Sequence, residues 1–161
     1  MERMVVMKRL FVFLAIAAIF LMGTMPASAE ETLRKATIKQ LEGSAQVKLA
    51  GQEWQTAQIG MTLKQNDSIK TGDASWMLLQ IDDGEGMSSV EIAKNSQLEI
   101  AILTKDAASG SRQTLLDLAI GEVVVQAQKL YDPKSKFEVK TPTSIAGARG
   151  TRFSVKVEAA Q

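Results

Sequence analysis

The 161-residue sequence contains no cysteine and no histidine. Without cysteine the chain forms no disulfide, has no thiol nucleophile and offers no thiolate to a metal ion. Without histidine it lacks the usual general base near neutral pH, the usual zinc ligand and every Ser-His or Cys-His catalytic pair. These two absences predict a protein that is not an enzyme and that holds no metal and no other cofactor.

The first 29 residues contain the three parts of a secretory signal peptide in order. Basic residues (Arg3, Lys8 and Arg9) precede the apolar run Leu10 to Met22, and Ala27-Ser28-Ala29 is a small-x-small cleavage site. A membrane anchor is the less favoured alternative, because the apolar run is shorter than the roughly 18 to 20 residues that cross a bilayer. We expect cleavage after Ala29, no remaining membrane span, and a periplasmic or secreted bacterial protein.

Neither sign of charge dominates the chain, which has 19 basic and 18 acidic residues. The portion after residue 29 has a net charge of −1, because the signal peptide removes three basic residues and one acidic residue. A balanced charge gives no reason to expect nucleic acid or an anionic membrane surface as a partner.

Short segments of alternating apolar and polar residues, separated by turn residues, follow from Glu30 onward. Ala36 to Leu41 and Ala45 to Leu49 alternate on either side of Gly43, which predicts a hairpin. About ten such segments recur at roughly the 8 to 12 residue spacing of sandwiches and barrels, and none has the periodicity of a helix. We therefore predict one all-β domain over residues 30–161, a two-sheet sandwich or a short solenoid-like roll.

Two longer apolar stretches need separate interpretation. Ser75 to Ile81 is apolar at both odd and even positions, which predicts a strand covered on both faces with Trp76 in the core. Thr114 to Gln128 has the length of a helix, but its β-branched triplet and Gly121 favour two strands.

Two short motifs suggest chemistry that their surroundings do not support. Lys70-Thr71-Gly72 matches one motif of penicillin-binding enzymes, but no serine in the chain has the lysine three residues later that those enzymes need. Asp82-Asp83-Gly84-Glu85 is rich in carboxylates, but its spacing is that of a hairpin turn and not of a calcium loop. No spacing singles out a carboxylate pair for glycoside hydrolysis.

Trp54 is the candidate binding residue. It lies beside a turn that contains Gly51, and an amphipathic tryptophan at such a place either packs against the sheet or stacks on a sugar. We favour packing and keep stacking on a glycan as the alternative.

One ordered series of residues resembles the FecR domain family, whose best-known member is an iron-dicitrate sensor. The resemblance extends over residues 36–157, and the order of the elements makes it specific. The series consists of Gly43, Ala45, Val47, Trp54, Gly60, Leu63, Asp67, Ile69, Thr71, Leu79, Ile81, Asp83, Gly84, Leu118, Gly121, Val123, Phe137, Val139, Thr141, Pro142, Ala148, Arg149, Gly150, Thr151, Phe153 and Val155.

The resemblance implies an all-β periplasmic domain that receives a signal from another envelope protein. The sensor also has a cytoplasmic anti-sigma segment and a membrane span, whereas at most nine residues precede the apolar run here. We therefore do not expect control of a sigma factor across the membrane. The expected function is that of a protein-binding or signal-sensing module that uses a sheet edge, with binding of an envelope polysaccharide through Trp54, or a structural role, as the alternative.

Arg149 is the charged residue in the small, apolar neighbourhood of the Arg-Gly-Thr motif. If its side chain is buried, it needs a carboxylate or carbonyl partner, because an unpaired interior charge costs several kcal/mol. We expect Arg149 to clamp the turn at Asp67, Asp73 or Asp83.

Overall fold

The computed structural model describes residues 31–82, 87–129 and 131–158. Within these ranges the chain forms thirteen strands and no helix, which confirms the all-β prediction. The predicted signal peptide lies outside the described residues. The strands are β1 (Glu31–Leu33), β2 (Ala36–Glu42), β3 (Ala45–Lys48), β4 (Trp54–Thr56), β5 (Thr62–Leu63), β6 (Ser68–Thr71), β7 (Trp76–Ile81), β8 (Ser88–Ile92), β9 (Gln97–Asp106), β10 (Arg112–Gln126), β11 (Lys136–Lys140), β12 (Ile145–Ala148) and β13 (Arg152–Val157).

The strands form one curled sheet with two halves, here called sheet I and sheet II. Sheet I has the order β4-β3-β6-β9-β10-β11-β12, and β1 also pairs with β9. Sheet II has the order β5-β2-β7-β8-β10-β13. All of these pairs are antiparallel except β10 with β11, which is parallel.

The longest strand, β10, belongs to both sheets. Its residues 112–120 pair with β9, and residues 121–126 pair with β8 and β13. Gly121, with φ of +98°, lies where the strand passes from one sheet to the other. The sequence predicted two strands here, and the structure instead has one continuous strand with a bend at the predicted break.

The hydrophobic core lies between the two sheets. Alternate residues along the strands point inward, as period two requires. One cluster of buried residues takes side chains from both sheets, including Val47, Ile69 and Leu98 of sheet I and Ile38 and Leu79 of sheet II. The two sheets therefore pack face to face.

The predicted hairpin at Gly43 is wrong. β2 pairs with β5 and β7 in sheet II, whereas β3 pairs with β4 and β6 in sheet I. The Gly43-Ser44 segment is therefore a corner that carries the chain from one sheet to the other. Period-two alternation and a central glycine are the same for a hairpin and for such a corner, so the sequence pattern did not distinguish them.

Corners of this kind stack on one another along one side of the molecule. Gly72 N–H donates to the Ser44 carbonyl at 2.9 Å, Asn95 N–H donates to the Gly72 carbonyl at 3.2 Å, and Glu122 N–H donates to Ser96 Oγ at 3.1 Å. A side chain on the corner glycine Gly43 would collide with the next corner, since a Cβ there would lie 2.8 Å from the Ala74 carbonyl oxygen and 2.9 Å from Ser75 Cα. This row of stacked corners gives the fold its resemblance to a short solenoid.

The sequence context predicted Trp76 in the core, but the structure places it at the surface. It begins β7 with 36% of its surface exposed, and its indole N–H donates to Glu42. The buried residues of β7 are Met77, Leu79 and Ile81, which alternate along the strand. Only one face of β7 therefore packs against the core, whereas the sequence predicted a strand covered on both faces.

Candidate partner-binding edge

Asp67 and Thr71, two polar residues of the FecR-like series, are buried and form hydrogen bonds with backbone groups of turns. The Asp67 carboxylate accepts hydrogen bonds from the Ala50 N–H at 2.8 Å and the Lys64 N–H at 2.7 Å. Thr71 Oγ1 donates to the Ala93 carbonyl at 2.6 Å and accepts from the Ser96 N–H at 3.0 Å. An unsatisfied buried backbone group is costly, so these side chains have structural roles.

The Thr-Pro pair closes the turn between β11 and β12. Thr141 is 6% exposed, its N–H donates to the Ser144 carbonyl at 2.8 Å, and its Oγ1 accepts from the Ser144 N–H at 3.0 Å. Pro142 occupies an exposed position inside this turn, where the missing N–H does no harm. Thr141 thus fixes the start of β12.

Gly150 and Thr151 form the corner between β12 and β13. Gly150 has φ of +85°, and a Cβ there would lie 2.7 Å from Lys129 Cα, so both conformation and space require glycine. The Thr151 carbonyl accepts from the Ala127 N–H at 3.2 Å and starts the pairing of β13 with β10. Phe153 follows with a half-buried side chain that packs against the core.

The predicted Arg149 clamp is wrong for the described carboxylates. Arg149 is exposed, and its Nη2 donates to the Pro133 carbonyl at 2.6 Å. Asp73 accepts a hydrogen bond from the Asn95 side chain at 2.7 Å. The small residues around Arg149 leave its side chain in solvent, so it needs no buried partner. Asp83 and Gly84 lie outside the described residues, between β7 and β8, which pair as the predicted hairpin.

An arginine clamp does exist, but Arg34 forms it. Arg34 Nε donates to Asp82 Oδ1 at 2.9 Å, and Nη2 also bonds this carboxylate. Nη1 donates to Thr114 Oγ1 at 2.8 Å, and the side chains of Arg34 and Asp82 are 7% and 14% exposed. Sequence reasoning missed this pair, because Arg34 and Asp82 lie 48 residues apart and no local pattern connects them.

Trp54 lies at the edge of sheet I, on the three-residue strand β4. Its side chain is half-buried, and the Lys70 ammonium lies 5.6 Å from the ring centroid. A cation at this distance is attracted by the ring face. The packing role of Trp54 stays a prediction.

The edge strand β12 has no protection against pairing with another strand. Its four residues, Ile145 to Ala148, include no charged residue and no proline, and Ile145 is 63% exposed. Within the described ranges β12 pairs with β11 alone. Edge strands present unpaired N–H and C=O groups, which proteins usually guard with charge, proline or very short strands.

The other edge strands of the described structure are shorter than β12 or carry charged residues. β5 has two residues, β4 has three, and β1 has three residues that begin with Glu31. β13 is longer but carries Arg152 and Lys156. Lys156 forms an exposed ion pair with Glu158, which raises the pKa of the lysine and lowers the pKa of the glutamate. β12 is therefore the best candidate for a binding edge.

Two features are absent from residues 31–82, 87–129 and 131–158. No three acidic side chains are grouped so that they could hold a metal ion. No helix is long and apolar enough to span a membrane.

The fold and its edge define an all-β protein in which glycine, threonine and aspartate fix the corners, and in which β12 is the longest uncharged edge strand of the described residues. A model of the FecR protein family matches residues 67–161, more than half of the chain. The chain therefore belongs to the FecR protein family. The match includes Asp67, Thr71, Thr141 and the Arg149 corner. Comparison with curated proteins and comparison with solved structures found no match.

Proposed function

We propose that this chain is a non-catalytic, signal-sensing module of the bacterial cell envelope that binds a strand of another envelope protein along β12. The observation that carries the proposal is that β12 is an exposed edge strand without a charged residue. Membership of the FecR family supports the signal-sensing role, and the signal-like sequence of residues 1–29 supports export to the periplasm or beyond.

The backbone of β12 offers two residues for pairing. The Thr141 N–H bonds to the Ser144 carbonyl, and antiparallel ladders alternate bonded and non-bonded pairs. Ala146 and Ala148, opposite Val139 and Phe137, therefore bond to β11. Ile145 and Gly147 direct their N–H and C=O groups to the open side, where an incoming strand completes them.

The side chains around this strand favour an uncharged partner segment. Ile145 is largely exposed and offers apolar surface beside the open backbone groups. Ala146, Gly147 and Ala148 are small, so a neighbouring strand can approach closely without displacing bulky groups. A partner with an apolar residue opposite Ile145 would gain its burial as well as the main-chain hydrogen bonds.

Photocrosslinking in living cells tests the proposal. A photoreactive residue replaces the exposed Thr143, next to β12, in the full chain. We expect an adduct with one discrete envelope protein, and Ile145→Lys should reduce its yield about fivefold or more, because a lysine on an edge opposes strand pairing. Ile59→Lys is the matched control, since Ile59 is 64% exposed and Ile145 is 63% exposed.

The two variants separate strand pairing from a general effect of charge. An unchanged yield with Ile59→Lys and a reduced yield with Ile145→Lys support β12 as the binding edge. Equal yields from both variants, or the absence of any adduct at position 143, would contradict the proposal.

The alternative function, binding of an envelope polysaccharide, depends on Trp54. If the protein binds polysaccharide through Trp54, purified cell-wall glycan should retain it, and Trp54→Ala should abolish the retention. Retention that survives Trp54→Ala counts against the tryptophan as a stacking platform.

A further inference from the structure

We infer that two copies of this chain associate through β13, pairing antiparallel about a twofold axis at Val155 so that Arg152 of each copy lies opposite Glu158 of the other. This inference concerns a different strand from the proposed partner-binding edge and does not depend on it.

The backbone of β13 has one side open in the described structure. β13 pairs with β10 alone, and the Thr151 carbonyl accepts from the Ala127 N–H. Because bonded and non-bonded pairs alternate, Phe153, Val155 and Val157 bond to β10. The N–H and C=O groups of Arg152, Ser154 and Lys156 therefore point to the open side.

The charged side chains of Arg152, Lys156 and Glu158 favour one register for the pairing of β13 with β13 of a second copy. When Val155 lies opposite Val155 of the second copy, Arg152 of each copy lies opposite Glu158 of the other. Ser154 of each copy then lies opposite Lys156 of the other. A shift that places Ser154 opposite its copy brings Arg152 against Lys156, and the opposite shift brings Lys156 against Lys156. Like charges directly opposite each other are destabilising, whereas opposite charges stabilise the pair.

The same register covers apolar surface that the single chain leaves incompletely buried. Phe153, Val155 and Val157 pack against the core but remain only half-buried. Self-pairing places Phe153 beside Val157 of the second copy and Val155 beside Val155. These apolar residues lie on the core-facing side of β13, so the second copy extends the covering of the core.

An open groove lies beside β13. It has a volume of about 480 Å³ and runs between β13 and the turn that joins β11 to β12. Val155 to Glu158 line one wall, and Thr141 to Ser144 line the other. The groove therefore borders the half of β13 that would face Arg152 of the second copy.

A cysteine-scanning experiment tests the register directly, because the natural chain contains no cysteine. Val155→Cys places two thiols opposite each other, within the Cα separation of about 4.4 to 6.8 Å that a disulfide needs. We expect a disulfide-linked dimer after mild oxidation of the full exported protein. Val157→Cys is the matched control and should form no disulfide-linked dimer, because its opposite residue is Phe153.

Charge exchange provides a second measurement in solution. Sedimentation equilibrium should show a reversible dimer, and Arg152→Glu or Glu158→Arg should raise its Kd about tenfold or more, because each variant places like charges together twice. The double variant Arg152→Glu with Glu158→Arg should restore the dimer. Ile145→Lys on β12 should leave the Kd unchanged.

Two outcomes would overturn the inference. One is a monomer at every concentration together with no disulfide from Val155→Cys. The other is a dimer that forms equally well with either single charge variant, or that crosslinks as readily through Val157→Cys, since the contact would then lie elsewhere.

Discussion

Three buried polar side chains stabilise the turns and corners of this fold. Asp67, Thr71 and Thr141 are each at most 6% exposed, and each makes two or more hydrogen bonds to the backbone of a turn or a neighbouring corner. Such turns have no regular ladder to satisfy their N–H and C=O groups, so a short side chain supplies the partner. These three polar side chains therefore hold backbone groups in place, and no ligand is needed to explain their burial.

The Arg34–Asp82 pair gives the clearest prediction for a single residue. Arg34→Met should lower the free energy of unfolding by about 3 to 5 kcal/mol, because it leaves the Asp82 carboxylate mostly buried without its partner. Arg149→Met is the matched control and should change stability by no more than about 1 kcal/mol, since Arg149 is exposed. Urea denaturation of both variants measures the difference. A larger loss for Arg149→Met than for Arg34→Met would reverse the assignment of the clamp.

The sequence predicted Arg149 as the clamp, whereas in the structure Arg34 has this role. Arg149 was predicted as the clamp because its neighbours in the sequence are small. Small neighbours in the sequence do not show which residues surround the side chain in the folded structure. Arg34 meets Asp82 and Thr114 only because β2, β7 and β10 are brought together by the fold. The chain separation of 48 residues between Arg34 and Asp82 leaves no local pattern to find.

At the scale of elements, one strand joins the two sheets. Residues on both halves of β10 point into the core, with Leu116 and Leu118 before the bend and Val123 and Val125 after it. Gly121 allows the strand to change direction without breaking, while Ser96 packs against the bend and bonds to Glu122. The bend is therefore part of the row of stacked corners.

Gly121→Ala should be strongly destabilising. Its Cβ would lie 2.4 Å from Ser96 Cα, and the positive φ is unfavourable for alanine as well. Strain and overpacking together should cost about 3 kcal/mol or more. Gly51→Ala, with φ of +74° and nothing within 4 Å of the added Cβ, should cost only about 1 kcal/mol. Thermal or urea unfolding of the two variants checks this, and equal losses would show that the close approach to Ser96 relaxes freely.

Strand positions could be predicted from the sequence, whereas most strand partners could not. Period-two alternation marked β2, β3 and β9 because inward residues must be apolar on a half-buried sheet. The same glycine and serine residues build a hairpin or a corner between sheets, as Gly43 and Ser44 show. The choice between them depends on which distant strand lies alongside, and the free edge at β12 depends on it too.

At the scale of the whole molecule, the two sheets share one core and one continuous strand. The buried cluster contains residues of both sheets, and most of its members are fully buried. Neither sheet can separate without exposing the inward face of the other, and β10 links them covalently as well. The described structure therefore favours one cooperative folding unit.

The two tryptophans test this cooperativity, because Trp54 lies on sheet I and Trp76 lies on sheet II. The chain has no other tryptophan, so Trp76→Phe leaves a fluorescence probe of sheet I and Trp54→Phe leaves a probe of sheet II. In each variant we expect the urea midpoint by fluorescence to coincide with the midpoint by far-ultraviolet circular dichroism, because coincident probes mark a two-state transition. Comparison within each variant controls for any change in stability that the substitution itself causes. A fluorescence transition that precedes the circular dichroism transition in only one of the variants would mean that its sheet unfolds separately, and that the bend at Gly121 joins two independent units.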